Sequence, residues 1–409
     1  MRARIIFGLL SLGAAAWCAT VWPGAVWAAT APSKGDDELP PPMTFFIVKG
    51  EADSCGPGCN EWIAADGQIK EDSAQKFGRF LRALGKRKLL VYFHSPGGSV
   101  SAGLAIGRML RERGMTAGVA RTIPEGCDAS KEREAACDTL KREGRALQAE
   151  LRTARTMCNS SCVYALIGAT VREVPAGSRL GVHTIALVEK PNRKISESEQ
   201  ARQLESANGR LARYIAEMKI ASGLFEAASK VSFERLRYLS RDEIAQFGID
   251  KRGFHESRWV VDEGPPGPLM VVKFIVEAKG NDTKRYHTSR IRPACTRTPG
   301  TIFFEFGREL GPADRWDASM AVTLGSGDFV LPPGRGKPTT GYNNVQMESR
   351  LTRVEVGLFE EAASRKTMSL VEAPVTTVDA SVEPVLKPPL KLSTDGLASA
   401  MAALVKRCK

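Results

Sequence analysis

Four histidines, His94, His183, His255 and His287, are the whole imidazole supply of this 409-residue chain, so a histidine general base must be one of them. His183 follows a strand-like run, Ser178-Arg179-Leu180-Gly181-Val182. Upstream lies Cys158-Asn159-Ser160-Ser161-Cys162, which opens a short apolar helix-like stretch, Val163 to Ile167. A hydroxyl at a helix start sits where aligned peptide dipoles favour negative charge, which suits Ser160 to be a nucleophile. An imidazole within reach can take its proton. A third element is the turn Ser95-Pro96-Gly97-Gly98-Ser99, whose glycines leave backbone N–H groups open to close approach. Two such groups can hold a developing oxyanion, so the three elements together have the parts for acyl transfer. Taken singly they are bland: Ser-Pro-Gly-Gly is a common turn, and a lone histidine at a strand end is more often structural. His94 reads as a strand-end residue, and His255 and His287 have no partner in a motif.

Several elements must position these residues. The run Lys88 to Phe93, the Gly-rich turn, a helix over Ser101 to Arg113 and a strand at Met115 to Ala120 form a βαβ unit. Strands are expected upstream at Thr44 to Val48 and Trp62 to Ala65. A helix capped by Asp72 or Ser73 follows, with apolar positions Ala74, Phe77, Phe80, Leu81 and Leu84. The charged stretch 122–157, with a helical segment Leu140 to Arg155, reads as an inserted surface lobe. Leu204, Ala207, Leu211, Ile215 and Met218 mark a long amphipathic helix, and Leu236 to Gly248 carries a turn and another helix. At 263–268 the run Glu-Gly-Pro-Pro-Gly-Pro is a linker. Beyond it, strand-like runs at Leu269 to Val276, Thr301 to Phe306, Ala321 to Leu324 and Leu351 to Leu358 predict a small antiparallel β domain over 269–409, closed by an Ala-rich helix ending at Cys408.

The composition, 43% hydrophobic and 25% charged with a net charge of +12, is that of a globular protein rather than a disordered, collagen-like or multi-span membrane chain. Arg2 and Arg4 precede an apolar stretch from Ile5 to Val21, and Val26-Trp27-Ala28 supplies a cleavage site. Residues 1–29 therefore read as a signal peptide and 30–42 as a flexible leader, with an uncleaved membrane anchor as the alternative. Export implies the periplasm. Of the nine cysteines Cys18 falls in the signal segment, and the rest are an even set, three pairs of near neighbours, Cys55 and Cys59, Cys127 and Cys137, Cys158 and Cys162, and then Cys295 and Cys408. In an exported chain this reads as a disulfide framework, with a zinc cluster as the rival. The basic residues form no block and aromatics are only 7%, so no nucleic-acid groove is expected. No cofactor or metal is called for.

The order His94-Ser95-Pro96-Gly97-Gly98-Ser99, Ser160 at a helix start, Ser178-Arg179-Leu180-Gly181-Val182-His183, then Leu236-Arg237-Tyr238-Leu239-Ser240 with Glu243 and Phe247-Gly248-Ile249-Asp250 resembles the Clp protease proteolytic subunit. More closely, the chain resembles exported bacterial Clp-protease-like proteins of the Clp/crotonase superfamily, over about residues 44 to 255. The resemblance implies an α/β fold with a crotonase-like ββα superhelix over 43–262. Ser160 would be the nucleophile and His183 the general base, and the N–H groups of Gly98 and Ser161 would form the oxyanion hole. The choice of Ser160 over Ser161 rests on that alignment. The Leu204 to Met218 helix would match a projecting handle used for subunit contacts, which implies either a homo-oligomer or, if the charged insert and the extra domain block that packing, a single subunit, acting on a peptide or protein substrate. Two departures matter. Leu236 stands where the family has its acid, leaving Glu234, two residues earlier on the same strand face, or Asp242 to orient His183. Cys162 replaces a small residue after the nucleophile, so a Cys158–Cys162 bond would shape that turn.

The C-terminal pattern Leu392 to Leu404 with Cys408 is similar to the invasion-associated locus B type of exported β domain, whose place here would be to recruit substrate, to bind an envelope partner or to cap the enzyme. Two functions compete: an exported Clp-like serine peptidase or acyl hydrolase, and a catalytically impaired pseudoenzyme serving as a binding or assembly module. Acyl-CoA chemistry of the crotonase branch fits poorly, because an exported protein would not meet that cofactor.

Overall fold

Short apolar runs between Gly and Pro turns give the first part of the chain its strands. In this computed structural model they are β1 (Thr44–Lys49), β2 (Glu61–Asp66), then α1 (Ser73–Leu84), β3 (Leu90–His94), α2 (Val100–Glu112), β4 (Thr116–Val119), β5 (Arg121–Pro124), α3 (Ala135–Lys141) and β6 (Leu147–Arg152). Next come β7 (Thr156–Asn159), α4 (Ser161–Ile167), β8 (Val171–Glu173), β9 (Ser178–Val182), α5 (Glu197–Glu217), α6 (Gly223–Ser229), β10 (Arg237–Tyr238), α7 (Arg241–Gln246), β11 (Phe254–Glu256) and β12 (Val260–Asp262). The structure describes residues 41–262 except 57, 128–134, 155 and 188–195. From 270 to 408 it describes all but 280–281, 297, 299, 311–319, 325–328, 332–338, 341–345, 358–363 and 375–389. The expected signal peptide, all of the leader but its last two residues, and the 263–268 linker lie outside the described residues.

The main sheet runs β5-β6-β1-β2-β3-β4-β8. β2, β3, β4 and β8 are parallel, and the near-continuous apolar runs Trp62 to Ala65 and Val91 to Phe93 are buried, as a parallel sheet covered on both faces requires. On α1, Phe77, Leu81 and Leu84 recur at helical spacing and face the core. At the centre lies α4, every residue of which is buried. Gly103 and Gly107, one turn apart on α2, admit it: a Cβ at Gly103 would stand 2.6 Å from the Ser161 carbonyl. β7, β9 and β10 form a second, small sheet with β9 in the middle.

The stretch expected as a surface lobe is part of the main sheet. β6 pairs parallel to β1 and antiparallel to β5, and the segment read as a helix from Leu140 to Arg155 is the end of α3 followed by a strand. The cause is a period of two: Leu147 is buried and its alternates Gln148 and Glu150 are exposed, a pattern masked in the sequence by its charge. Trp62 joins the lobe to the core, its Nε1–H donating to Thr122 Oγ1 at 3.0 Å.

Beyond residue 269, strands Met270–Lys279, Asp282–Cys295, Thr301–Leu310 and Gln346–Glu355 pair successively antiparallel, with β11 and β12 on the first of them. A second sheet contains Phe329–Leu331, Met320–Leu324, Thr367–Pro374 and Leu390–Ser393. The helix Leu397–Arg407 buries Leu397, Ala400, Met401 and Leu404 and is tied to the sheet by Cys295–Cys408. The other cysteines pair as Cys55–Cys59, Cys127–Cys137 and Cys158–Cys162, which leaves none of the eight to a zinc cluster. The result is a mixed α/β fold followed by antiparallel sheets. The two parts meet where Phe274 packs on Gly177 and the Tyr286 N–H donates to Asp242 Oδ1 at 2.6 Å. Among the described residues no helix is long and apolar enough to cross a membrane.

Candidate active site

Ser160 is the hinge between β7 and α4. Its backbone has φ 54° and ψ −123°, one of three non-glycine residues at positive φ among the described residues. Such a conformation costs about 1–3 kcal/mol and persists only where the surroundings enforce it. They do so by hydrogen bonds on the strand side, where Ser160 N–H donates to the Gly181 carbonyl at 2.7 Å and Asn159 N–H to the Ser95 carbonyl at 3.0 Å. Ser160 is half-buried and its hydroxyl makes no hydrogen bond, whereas Ser161 is fully buried with Oγ unpartnered. Of the two serines, only Ser160 can meet a ligand.

The Gly-rich turn lies directly against this hinge. A side chain at Gly97 would collide with the Asn159 carbonyl and stand 2.7 Å from Ser160 Cβ, so only glycine fits. The turn is pinned from its other side, Ile69 N–H donating to Gly97 O and Ser99 N–H to Ile69 O, each at 2.8 Å. Gly98 itself is at φ 138°, where a Cβ would stand 2.1 Å from the Ile69 carbonyl, so this position too takes only glycine. Neither the Gly98 nor the Ser161 N–H has an acceptor among the described residues.

His183 stands one residue past β9. In β9 the alternation puts Arg179, Gly181 and His183 on one face, with Leu180 and Val182 buried on the other. Its Nδ1 is 2.8 Å from the Thr184 carbonyl. A carbonyl only accepts, so Nδ1 carries the proton and Nε2 is the basic nitrogen. No hydrogen bond joins Nε2 to Ser160 Oγ in this structure. Phe233 meets the ring edge-on at 4.9 Å between centroids and is 48% exposed. Neither Phe233 nor the Thr184 carbonyl was singled out from the sequence, and no local signal marks them.

The expected acids lie elsewhere. Glu234 is exposed in a turn that precedes β10 rather than on its strand face, and no hydrogen bond joins it to His183. Asp242 is occupied by the Tyr286 N–H. Leu236 precedes the β9–β10 pairs Arg237↔Val182 and Tyr238↔Gly181, a register that sets it opposite His183. Its side chain lies over Gly181, at 3.3 Å from where a Cβ would be, and it is 41% exposed. His94 ends β3, buried, with Nδ1 accepting from Met157 N–H at 3.3 Å. The side chain of His287 lies outside the described residues.

Charge is concentrated in a separate cluster. Asp250, fully buried, accepts from Arg252 Nη2 at 2.7 Å and Val174 N–H at 2.8 Å, with Arg241 at 3.2 Å. Burial alone would push its carboxyl up, but these partners hold it well below the usual carboxylate range. Beside them, burial pulls the His255 imidazole down to about 3, reinforced by Arg241 and Arg252 and partly offset by Asp250. A cleft lined by Phe45, Phe80, Lys76, Arg79 and Arg142 has neither Ser160 nor His183 in its walls, and two of its cations are paired, Lys76 with Asp72 and Arg142 with Asp138, each at 2.8 Å.

No protein-family model matches this sequence, and no curated protein sequence matches it. Among solved structures, a point mutant of ClpP1 from Listeria monocytogenes is similar, with 18% identity, covering 45% of this chain and 84% of its own, at a TM-score of 0.28. A point mutant of the 1510-N membrane-bound stomatin-specific protease is similar with 14% identity over 50% of this chain and 78% of its own, at a TM-score of 0.30. A second point mutant of that protease, in complex with a substrate peptide, has 14% identity over 50% and 74%, at a TM-score of 0.31.

Proposed function

We propose that this chain is an exported Clp-like serine hydrolase, with a peptide or protein as its substrate and the periplasm as its compartment. In this reading 43–262 is the catalytic, crotonase-like domain and 269–409 an attached β domain of the invasion-associated locus B type. The observation that carries the reading is the enforced positive φ of Ser160, with two unengaged N–H groups on the elements that flank it. Ser160 Oγ attacks a carbonyl carbon while its proton passes to His183 Nε2. The oxyanion is held by the N–H groups of Gly98 and Ser161. The imidazolium then gives the proton to the leaving group, and water hydrolyses the acyl-enzyme by the same steps. The acid's orienting role falls to the Thr184 carbonyl, which holds the tautomer but lacks a charge to stabilise imidazolium.

That missing charge favours a second reading, a scaffold that binds peptides without turning them over. One experiment separates the two. The oxidised, signal-free protein is treated with a fluorescent fluorophosphonate and the labelled peptide mapped, with Ser160→Ala, Ser161→Ala and His183→Ala alongside. Labelling at Ser160 that survives Ser161→Ala and is lost in His183→Ala establishes the hydrolase. A folded protein that takes no label is the scaffold.

A further inference from the structure

We infer that the Cys158–Cys162 disulfide is the clamp that sets the Ser160 hinge, so that the nucleophile is placed only when this pair is oxidised. The inference rests on Ser160 being the nucleophile.

Where a nucleophile sits on a sharp strand-to-helix turn, small residues two before and two after it let strand and helix approach, as in the Gly-x-Ser-x-Gly pattern. Here those two positions are Cys158, in β7, and Cys162, in the first turn of α4, with Cα atoms 5.1 Å apart. The approach that elsewhere asks for glycine is spanned by a covalent bond. On the helix side α4 has no side-chain cap, since the Ser160 hydroxyl makes no bond back to the helix, and the turn is closed there by one backbone bond, Val163 N–H to the Ser160 carbonyl at 3.0 Å, which leaves the disulfide as the covalent tie between strand and helix. The hydrogen bonds to Gly181 and Ser95 hold only the strand side.

Closing the bond removes two protons and two electrons from the two thiols. The electrons pass to the disulfide of an exchanging thiol oxidant, which leaves as its dithiol. Both cysteines are fully buried, so the exchange takes place before α4 docks, and the finished cross-link is out of reach of reductant. A chain folded under reducing conditions would keep its core and lack a poised serine.

The test compares Cys158→Ser/Cys162→Ser with Cys55→Ser/Cys59→Ser. Both remove a disulfide of sequence separation 4 and so carry the same loop-closure effect. The rate of fluorophosphonate labelling at Ser160 should fall at least about tenfold in the first and stay within about twofold in the second, with near-UV circular dichroism native in both. Labelling at the wild-type rate in the first variant overturns the clamp. Wild type folded under reducing conditions keeps both side chains but lacks the bond, and should label as slowly as the serine pair. Labelling of that reduced chain at the oxidised rate would assign the serine pair's loss to packing and also overturn it. Should the wild type take no label, hydrogen exchange at the Ser160 and Ser161 amides decides instead. Exchange at least about tenfold faster in the serine pair supports the clamp, and equal rates reject it.

Discussion

Three of the groups on which the proposed chemistry depends are backbone atoms: the Gly98 N–H, the Ser161 N–H and the Thr184 carbonyl. Residue type acts mostly by permission, glycine at 97 because a side chain would strike Asn159 and Ser160, and serine at 160 because a hydroxyl is needed on an enforced turn. The Thr184 carbonyl fixes the His183 tautomer without adding charge. Leu236→Asp tests how much that costs. The β9–β10 register puts position 236 opposite His183, so a carboxylate there gains the imidazolium as partner. The labelling rate at Ser160 should rise at least about tenfold, with a ceiling near ~10⁴ set by the loss of an orienting aspartate in serine proteases. No rise in a folded variant would argue against His183 as the base.

At the scale of elements, the cluster of Asp250, Arg241, Arg252 and His255 joins α7, β11 and the turn before β9. The usual imidazole value, ~6.5, applies to the unfolded chain, whereas in the folded chain His255 is held down to about 3. The unfolded state therefore binds the extra proton first, and stability is lost as pH falls from ~6.5 towards 3, by ~1.4 kcal/mol for each unit. Asp250, with its carboxyl held low, adds to the loss only below ~4, the usual carboxylate value. Glu173, which burial pushes up, works in the opposite direction. Comparing wild type with His255→Gln isolates the histidine. In urea unfolding, the stability lost between pH 6.5 and 5 should be ~2 kcal/mol smaller in the variant. Equal losses would mean that His255 protonates in the folded chain near its usual value.

For the whole molecule, the C-terminal sheets buttress the site. Phe274 packs on Gly177, at the turn feeding β9, and the Tyr286 N–H holds Asp242 on α7. Arg179 of β9 lies in the field of Glu309 on the neighbouring sheet. The cross-link that closes this part, Cys295–Cys408, spans 113 residues, and long loops gain most from closure. Cys295→Ser/Cys408→Ser should lower unfolding stability by ~3–5 kcal/mol, read from urea melts. Ser160 labelling should be unchanged while the variant is folded. A loss below ~1 kcal/mol would mean that the terminal helix is held by packing alone.

The sequence by itself determined the types of the local elements around the site, because they follow from short-range periodicity: the buried run of β3, the helical spacing of Phe77, Leu81 and Leu84, and the turn between Ser95 and Ser99. Near-neighbour spacing likewise pointed to three of the disulfide pairs, and left Cys295 and Cys408, 113 residues apart, as the fourth. It did not reveal the strand Leu147–Arg152, whose alternation is hidden by charge on its open face, nor the strand Asp282–Cys295. Only the tertiary structure decided that Ser160 is accessible and Ser161 is not, that the Thr184 carbonyl rather than Glu234 meets His183, and that Leu236 stands across from it. The burial of Ser161 and the place of Leu236 depend on helix docking and strand register, of which chain separation along the sequence carries no record; the Thr184 carbonyl is next to His183 in the chain, but which torsions bring it to Nδ1, and that Glu234 stays away, is set by the same packing.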